Sequence, residues 1–422
     1  MSTINELLDP IIIPKVVKVK QKFERQTIPD IAKGLLDRLV EKQVLAAVKK
    51  GQKIAVAVGS RGIANQPLMV KVLISELKRV GADPFIVPAM GSHAGATAEG
   101  QREMLIGMGI TEDYVGAPIR SSMDVVQLGL SANGLPVYMD QNAYQADGIV
   151  IINRIKPHVC FRAKYESGLM KMIVIGLGKQ KGADICHNLG FETMPENLTA
   201  IGLKALKEAN VLFGIGIIEN AYHETGQIHV LTGSEIPVEE PILLEEAKRL
   251  APKLFFDSLE VLIIDEIGKD ISGSGFDTNI VGRYHSPCVS GGPKIHRLVI
   301  LDITERSHGN GNGLGMADFT TKRAVNKFRP EQTYPNTLTA TLTGGVKIPV
   351  TLENDLLAIQ ASLKTCNLMN YREAGLVRIK NTLSLDEIEV SENLLGLVRN
   401  NPNLEIVSLP YMWEFDEKGN LF

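Results

Sequence analysis

The feature that most constrains this chain is a repeated alternation. A short apolar strand runs into a glycine- or proline-marked loop, then into a helical stretch with one apolar face. Ile54–Val58, Phe85–Val87 and Gly148–Asn153 read as buried strands. The loops after them are Gly59-Ser60-Arg61-Gly62, Met90-Gly91-Ser92-His93-Ala94-Gly95 and the stretch holding Pro157-His158. Helices are expected over 66–80 and from about Thr97. Strands that lack period-two alternation are buried on both faces, so this rhythm predicts an α/β fold with a doubly wound, mostly parallel sheet.

The rhythm restarts after a helix expected over 239–250. Val261–Asp265 is a strand, 268–275 a glycine-rich loop, 297–302 another strand, and a helix is expected near Thr320. A boundary at Ala251-Pro252-Lys253 separates an N-terminal cofactor-binding α/β domain, 1–252, from a C-terminal α/β domain, 253–422. A length of 422 residues with 44% hydrophobic content supports two cores rather than one. The expected active site is the cleft between the domains, the second closing on substrate.

Charge narrows the function classes. With 45 basic against 48 acidic residues, the chain lacks the basic excess of a nucleic-acid binder. Its 4 cysteines form no C-x-x-C pair, which fits a reduced, cytoplasmic setting. The first 20 residues lack the pattern of a signal peptide, and no apolar run reaches the ~20 residues of a membrane helix.

In open α/β sheets, ligands bind beyond the carboxyl ends of the strands. Arg61, His93 and His158 each fall just past such an end, so three segments deliver polar groups to one sheet edge. Arg61 and the turn it shares with Ser60 suit an anion, through backbone N–H groups and a planar guanidinium. Either histidine can move protons near neutral pH, although a loop histidine can equally be a plain turn residue. Lys171 sits among apolar residues, where a lysine either snorkels or is partly buried and modified. His187 lies on a helix expected from Lys179, a setting more often structural than metal-ligating.

Metal motifs of the H-E-x-x-H and C-x-x-C kinds are absent, so any metal would take few protein ligands. Gly309–Gly315 misses G-x-G-x-x-G, with Leu314 or Met316 at the last glycine position, and no P-loop is present. It reads as a mobile or close-packing active-site loop, or equally as a turn. Lys269, Asp277, Asn279 and Arg283 flank Gly-Ser-Gly repeats. They suit a substrate carboxylate or hydroxyls, or else form a polar surface loop. His223, His229, His285 and His296 read as structural.

Taken together, Ser60-Arg61, Gly91-Ser92-His93, Pro157-His158, Ser167-Gly168-Leu169-Met170-Lys171 and His187 resemble, in order, the motifs of the lactate racemase family. The resemblance covers most of residues 50–190 and is looser beyond. It implies an isomerase, a racemase or epimerase of a 2-hydroxy acid, with sugar acids among the candidates. It implies nickel-pincer nucleotide as cofactor, covalently tethered through Lys171, with Ser60, Arg61, Ser167 and Gly168 around it and His187 as the nickel ligand. A pincer that supplies its own donors would explain the missing metal motifs. His93 and His158 would serve as the acid/base pair while hydride passes transiently to the cofactor. The implied partners are a small hydroxy acid and the cofactor-synthesis proteins, with no nucleic acid and no membrane. The departures lie in the long loop after His158, which holds Cys160, Arg162, Lys164, Tyr165 and Glu166, and in Leu169-Met170 and Val58-Gly59. They point to a longer polyhydroxy or dicarboxylic acid rather than lactate. The alternatives are a non-catalytic small-anion or cofactor-binding protein on the same scaffold, and a metal-independent epimerase or lyase.

Overall fold

The computed structural model describes residues 3–60 and 62–422, the side chains of Asn336 and Thr339 excepted. Two compact units emerge. One is Glu24–Ala251; the other joins the segment up to Phe23 with Pro252–Phe422.

The first unit is built on a five-stranded sheet. Its order is Asp83–Pro88, Lys53–Val58, Gly148–Arg154, Val211–Glu219, Thr225–Thr232. The first four strands are parallel and the last pairs antiparallel with its neighbour. Ala55, Val56, Ala57, Val150, Ile151 and Ile152 are fully buried, as strands covered on both faces must be. The helices Ile31–Glu41 and Gln66–Arg79 pack with one face of this sheet, through Leu35, Leu39, Met69, Val70 and Leu73. The expected strands and the helix over 66–80 are present, and Thr97 caps the helix Ala98–Gly107 by accepting the Gly100 N–H at 3.1 Å.

The second unit holds an eight-stranded mixed sheet. Val350–Leu352, Phe319–Thr321, Lys294–Ile303, Ser258–Ile267 and Leu376–Ile379 run parallel in that order. Glu387–Ser391, Val16–Gln21 and Leu404–Ile406 extend it antiparallel. The expectation that grouped all of 1–252 together therefore differs from the contacts here: Val16–Gln21 is an interior strand of the second unit's sheet. Val16, Val17 and Val19 are buried on both its faces.

The glycine run 309–315 is a close-packing loop. Gly313 has φ +105 and donates its N–H to Gly345 O at 2.8 Å, and a side chain at Gly275 (φ +85) would meet Asn312 O at 1.9 Å. Only glycine permits this backbone approach at positive φ.

Val19 is fully buried and stands opposite Ile388 and Ile406. Val19→Asp should cost several kcal/mol by burying an unpaired charge. Urea denaturation would show loss of the second unit's transition; a midpoint unchanged from wild type would contradict the strand's interior placement.

Candidate active site

The site is built on the segment between Lys156 and Asn188. Strand Gly148–Arg154 ends in Asn153 and Arg154, and the chain then doubles back so that Lys156 and Ser167 exchange backbone hydrogen bonds at 2.9 and 3.2 Å. The excursion between them holds His158. Glu166 fixes its base: one carboxylate oxygen accepts the His158 N–H at 2.6 Å, and the other lies 3.2 Å from Lys248 Nζ. Arg162 donates to His158 O at 2.7 Å.

After Ser167 comes a single helical turn, Leu169–Lys171, then a π-helical turn, Met172–Gly176. Lys171 closes the first turn. Buried Glu240 accepts the Met170 N–H at 2.8 Å, as a carboxylate does at a helix start. Gly168 makes room for it, since a Cβ there would lie 2.0 Å from Glu240 Oε1. Asn153 donates to Gly168 O at 2.9 Å, tying the turn to the sheet. Burial pushes the Glu240 carboxyl up to about 7, against the two amides that favour its ionised form.

His158 and Lys171 meet: Nε2 and Nζ are 2.6 Å apart. His158 Nδ1 accepts the Cys160 N–H at 3.1 Å, so a neutral ring carries its hydrogen on Nε2, toward Lys171. Burial, then the charges of Lys171 and Lys156, hold this imidazole well below its ordinary pKa. Phe161 and Phe191 flank the ring, with centroids 4.3 and 6.5 Å away.

His187 sits in the last turn of the helix Lys179–Asn188. Its Nδ1 is 2.7 Å from Ala183 O, which must accept, so Nδ1 bears the hydrogen and Nε2 keeps the lone pair. Phe191 meets this ring edge-on at 5.8 Å. Burial lowers the His187 pKa, which favours the neutral, ligating form.

His93 is exposed, and the Ser60 hydroxyl is hydrogen-bonded to its Nδ1. Arg61 lies outside the described residues. Ile63 and Ala64 follow it, and the Ala64 N–H donates to Glu219 Oε1 at 2.8 Å, which anchors the turn to the sheet. The structure thus brings together Ser60 with His93, and His158 with Lys171, Phe191 and His187.

In the second unit, Lys269 donates to Gly273 O at 2.9 Å. Asp277 caps the short helix Thr278–Val281, accepting from the Asn279 backbone and side chain at 3.0 Å each. The Arg283 guanidinium is engaged by Ile295 O, His296 O and Asp318, the last at 2.8 Å. Two residues of the loop after His158 also turn inward: Tyr165 is buried and donates to Pro237 O at 2.8 Å, and Glu166 is buried as described.

Sequence reasoning does not single out Glu240, Asn153 or Phe191. Their roles arise from contacts across 70, 15 and 33 residues of chain, and only the glycine at 168 hints at a close neighbour.

Residues 10–199 match the lactate racemase N-terminal domain. That match spans 190 of the 422 residues, the first part of the chain. The solved structures include one similar to the whole chain, the lactate racemase apoprotein from Thermoanaerobacterium thermosaccharolyticum. It shares 14% sequence identity at a TM-score of 0.57, covering 88% of this chain and 99% of that one. At that identity the likeness concerns the fold. No curated protein sequence matches this chain. Among the described residues no helix is long and apolar enough to cross a membrane.

Glu240 gives a pH test. A carboxyl raised from 4.5 to about 7 contributes stability that is fully present below 4.5 and lost as pH rises through about 7. Scanning calorimetry should show a shallower fall in Tm across that window for Glu240→Gln than for wild type. Glu240→Ala should lie below both, with the Met170 amide left unpaired. Equal slopes for Gln and wild type would contradict the assignment.

Proposed function

We propose that this protein is a racemase or epimerase of a 2-hydroxy acid that works with nickel-pincer nucleotide held covalently on Lys171. The observation that carries the reading is the packed set His158, Lys171, Phe191 and His187, in a segment that matches the lactate racemase N-terminal domain.

The residues fit the cofactor. Lys171 offers an amine at the end of a buried, capped turn. His187 offers one oriented nitrogen lone pair. Among the described residues no group of three or more His, Cys, Asp or Glu side chains is arranged to hold a metal ion, so a metal at His187 needs donors that the cofactor brings. Phe161 and Phe191 give the histidines apolar neighbours, which favour neutral imidazoles.

When bound, the cofactor supplies a nickel centre that can take and return the C2 hydrogen with its electron pair. The protein's part is proton transfer and orientation. His158, held neutral, is suited to take the substrate hydroxyl proton at Nε2 in its Nδ1-protonated tautomer, reached when Lys171 and the Cys160 N–H are engaged elsewhere. His93, oriented by Ser60, is suited to the same work for the opposite enantiomer. Each histidine is then base in one direction and acid in the other. Arg61 would orient the substrate carboxylate. Lys269, Asp277 and Asn279 remain candidates for the rest of the substrate. With Arg283, Tyr165 and Glu166 engaged inside the protein, extra substrate hydroxyls must be met by other groups. The setting we propose is cytoplasmic, with the cofactor-synthesis proteins as partners.

Incubating the cofactor-loaded enzyme with a panel of single-enantiomer 2-hydroxy acids in deuterated buffer tests the reading. The expected product is the opposite configuration at C2 with its C–H hydrogen largely retained. Turnover with deuterium incorporated at C2 would instead indicate a carbanion route, and no turnover across the panel would contradict the activity.

His93→Ala and His158→Ala should each lower kcat about 10²–10⁴-fold, the usual worth of a general acid/base. Loss in one direction should exceed loss in the other, in opposite senses for the two variants. Initial rates from each enantiomer would show this; identical losses in both directions would refute separate roles.

A further inference from the structure

Lys179 is the most unusual lysine in the chain, and nothing in the proposed chemistry uses it. It is fully buried, and it has a left-handed backbone, φ +56, that is uncommon outside glycine. It follows the π-helical turn and opens the helix that carries His187. A lysine without an exposed ammonium needs a partner for each of its donors. Lys179 donates to Pro88 O at 2.7 Å and Gln101 Oε1 at 2.9 Å, and its charge is paired with Asp140 Oδ2 at 3.3 Å.

The Gln101 contact reaches the site. Gln101 is fully buried on the helix Ala98–Gly107. Its oxygen is taken by Lys179, which directs its NH2 toward Gly91 O at 2.9 Å and His93 O at 3.4 Å. Those carbonyls belong to the loop that presents His93. The same loop lies against the π-helical turn, backbone to backbone. The Gly91 N–H donates to Gly176 O at 3.2 Å, and a Cβ on Gly176 would lie 2.7 Å from Ala89 O. Asp140 completes the arrangement: its own N–H donates to Leu177 O at 2.6 Å, and its other oxygen accepts the Ala143 N–H at 3.0 Å. One buried ammonium therefore holds the end of strand Asp83–Pro88, the His93 loop and the start of the His187 helix together.

We propose that Lys179 is a positioning residue, which acts through Gln101 to fix the His93 loop against the segment running from Lys171 to His187. The strained part of the loop follows directly: Ala94, Gly95 and Ala96 all have positive φ, at +55, +68 and +54. Such a loop is costly to order without an anchor. The placement claim concerns the apoprotein and stands apart from the proposed chemistry. Only its kinetic consequence rests on that reading.

Hydrogen–deuterium exchange of the apoprotein, read by mass spectrometry, tests it. Gln101→Leu strands no charge and is the primary variant. Lys179→Met removes the counter-ion of buried Asp140 and is the harsher one. In Gln101→Leu, peptides covering 89–97 should exchange at least about tenfold faster, equivalent to ~1.4 kcal/mol of lost local protection. Peptides covering 148–154 and 211–219 should be unchanged. Gln101→Glu keeps an acceptor for Lys179 but loses both donors to the loop, so it should behave as Gln101→Leu does. In cofactor-loaded enzyme, kcat should drop by up to about a hundredfold with KM held within about twofold. Exchange in 89–97 equal to wild type, or faster exchange spread evenly over the first unit, would overturn the positioning role. Altered exchange with no activity in any form, wild type included, would count against the proposed function instead.

Discussion

The first unit depends on one demand: a lysine and two histidines must be held at the interior edge of a parallel sheet, on a segment whose own polar groups are out of water. An unpaired backbone amide or buried charge there costs on the order of 1–3 kcal/mol or more. The fold answers with side chains brought from afar. Glu240 accepts the Met170 amide, Glu166 the His158 amide, and Asn153 donates to Gly168 O. Lys179 satisfies Pro88 O and Gln101 from the inside. Without these partners, the contact between His158 and Lys171 would have no fixed frame.

That frame also sets the electrostatics. The same burial that makes the partners necessary keeps His158 and His187 neutral. A neutral imidazole is what a general base and a metal ligand each require. Cys186, beside His187 in sequence, shows the other side of the effect: burial pushes its thiol up to about 12, so it offers no thiolate. Position and chemical state therefore come from one cause.

Much of this is legible from residue order. Strands without alternation imply a covered parallel sheet, and His93 and His158 are placed by the rule that such sheets present ligands at their carboxyl ends. Lys179 reads as the start of His187's helix, and it is. Its burial is not legible, because Gly178-Lys179-Gln180-Lys181 reads as a solvated helix start and only tertiary acceptors reverse that. The pairing of Val16–Gln21 with Glu387–Ser391 is equally hidden, since strands joined across some 370 residues leave no local trace. Arg283 looks available for an anion, but its acceptors, Ile295 O, His296 O and Asp318, come from a neighbouring strand and the loop beyond it.

The central claim is that Lys171 carries the cofactor. Peptide mass spectrometry on protein produced together with nickel and the cofactor-synthesis proteins measures this directly. The account predicts that the peptide containing Lys171 gains the mass of the nucleotide, and that Lys171→Ala abolishes the gain while His93→Ala retains it. Active, nickel-replete protein with an unmodified Lys171 would contradict it.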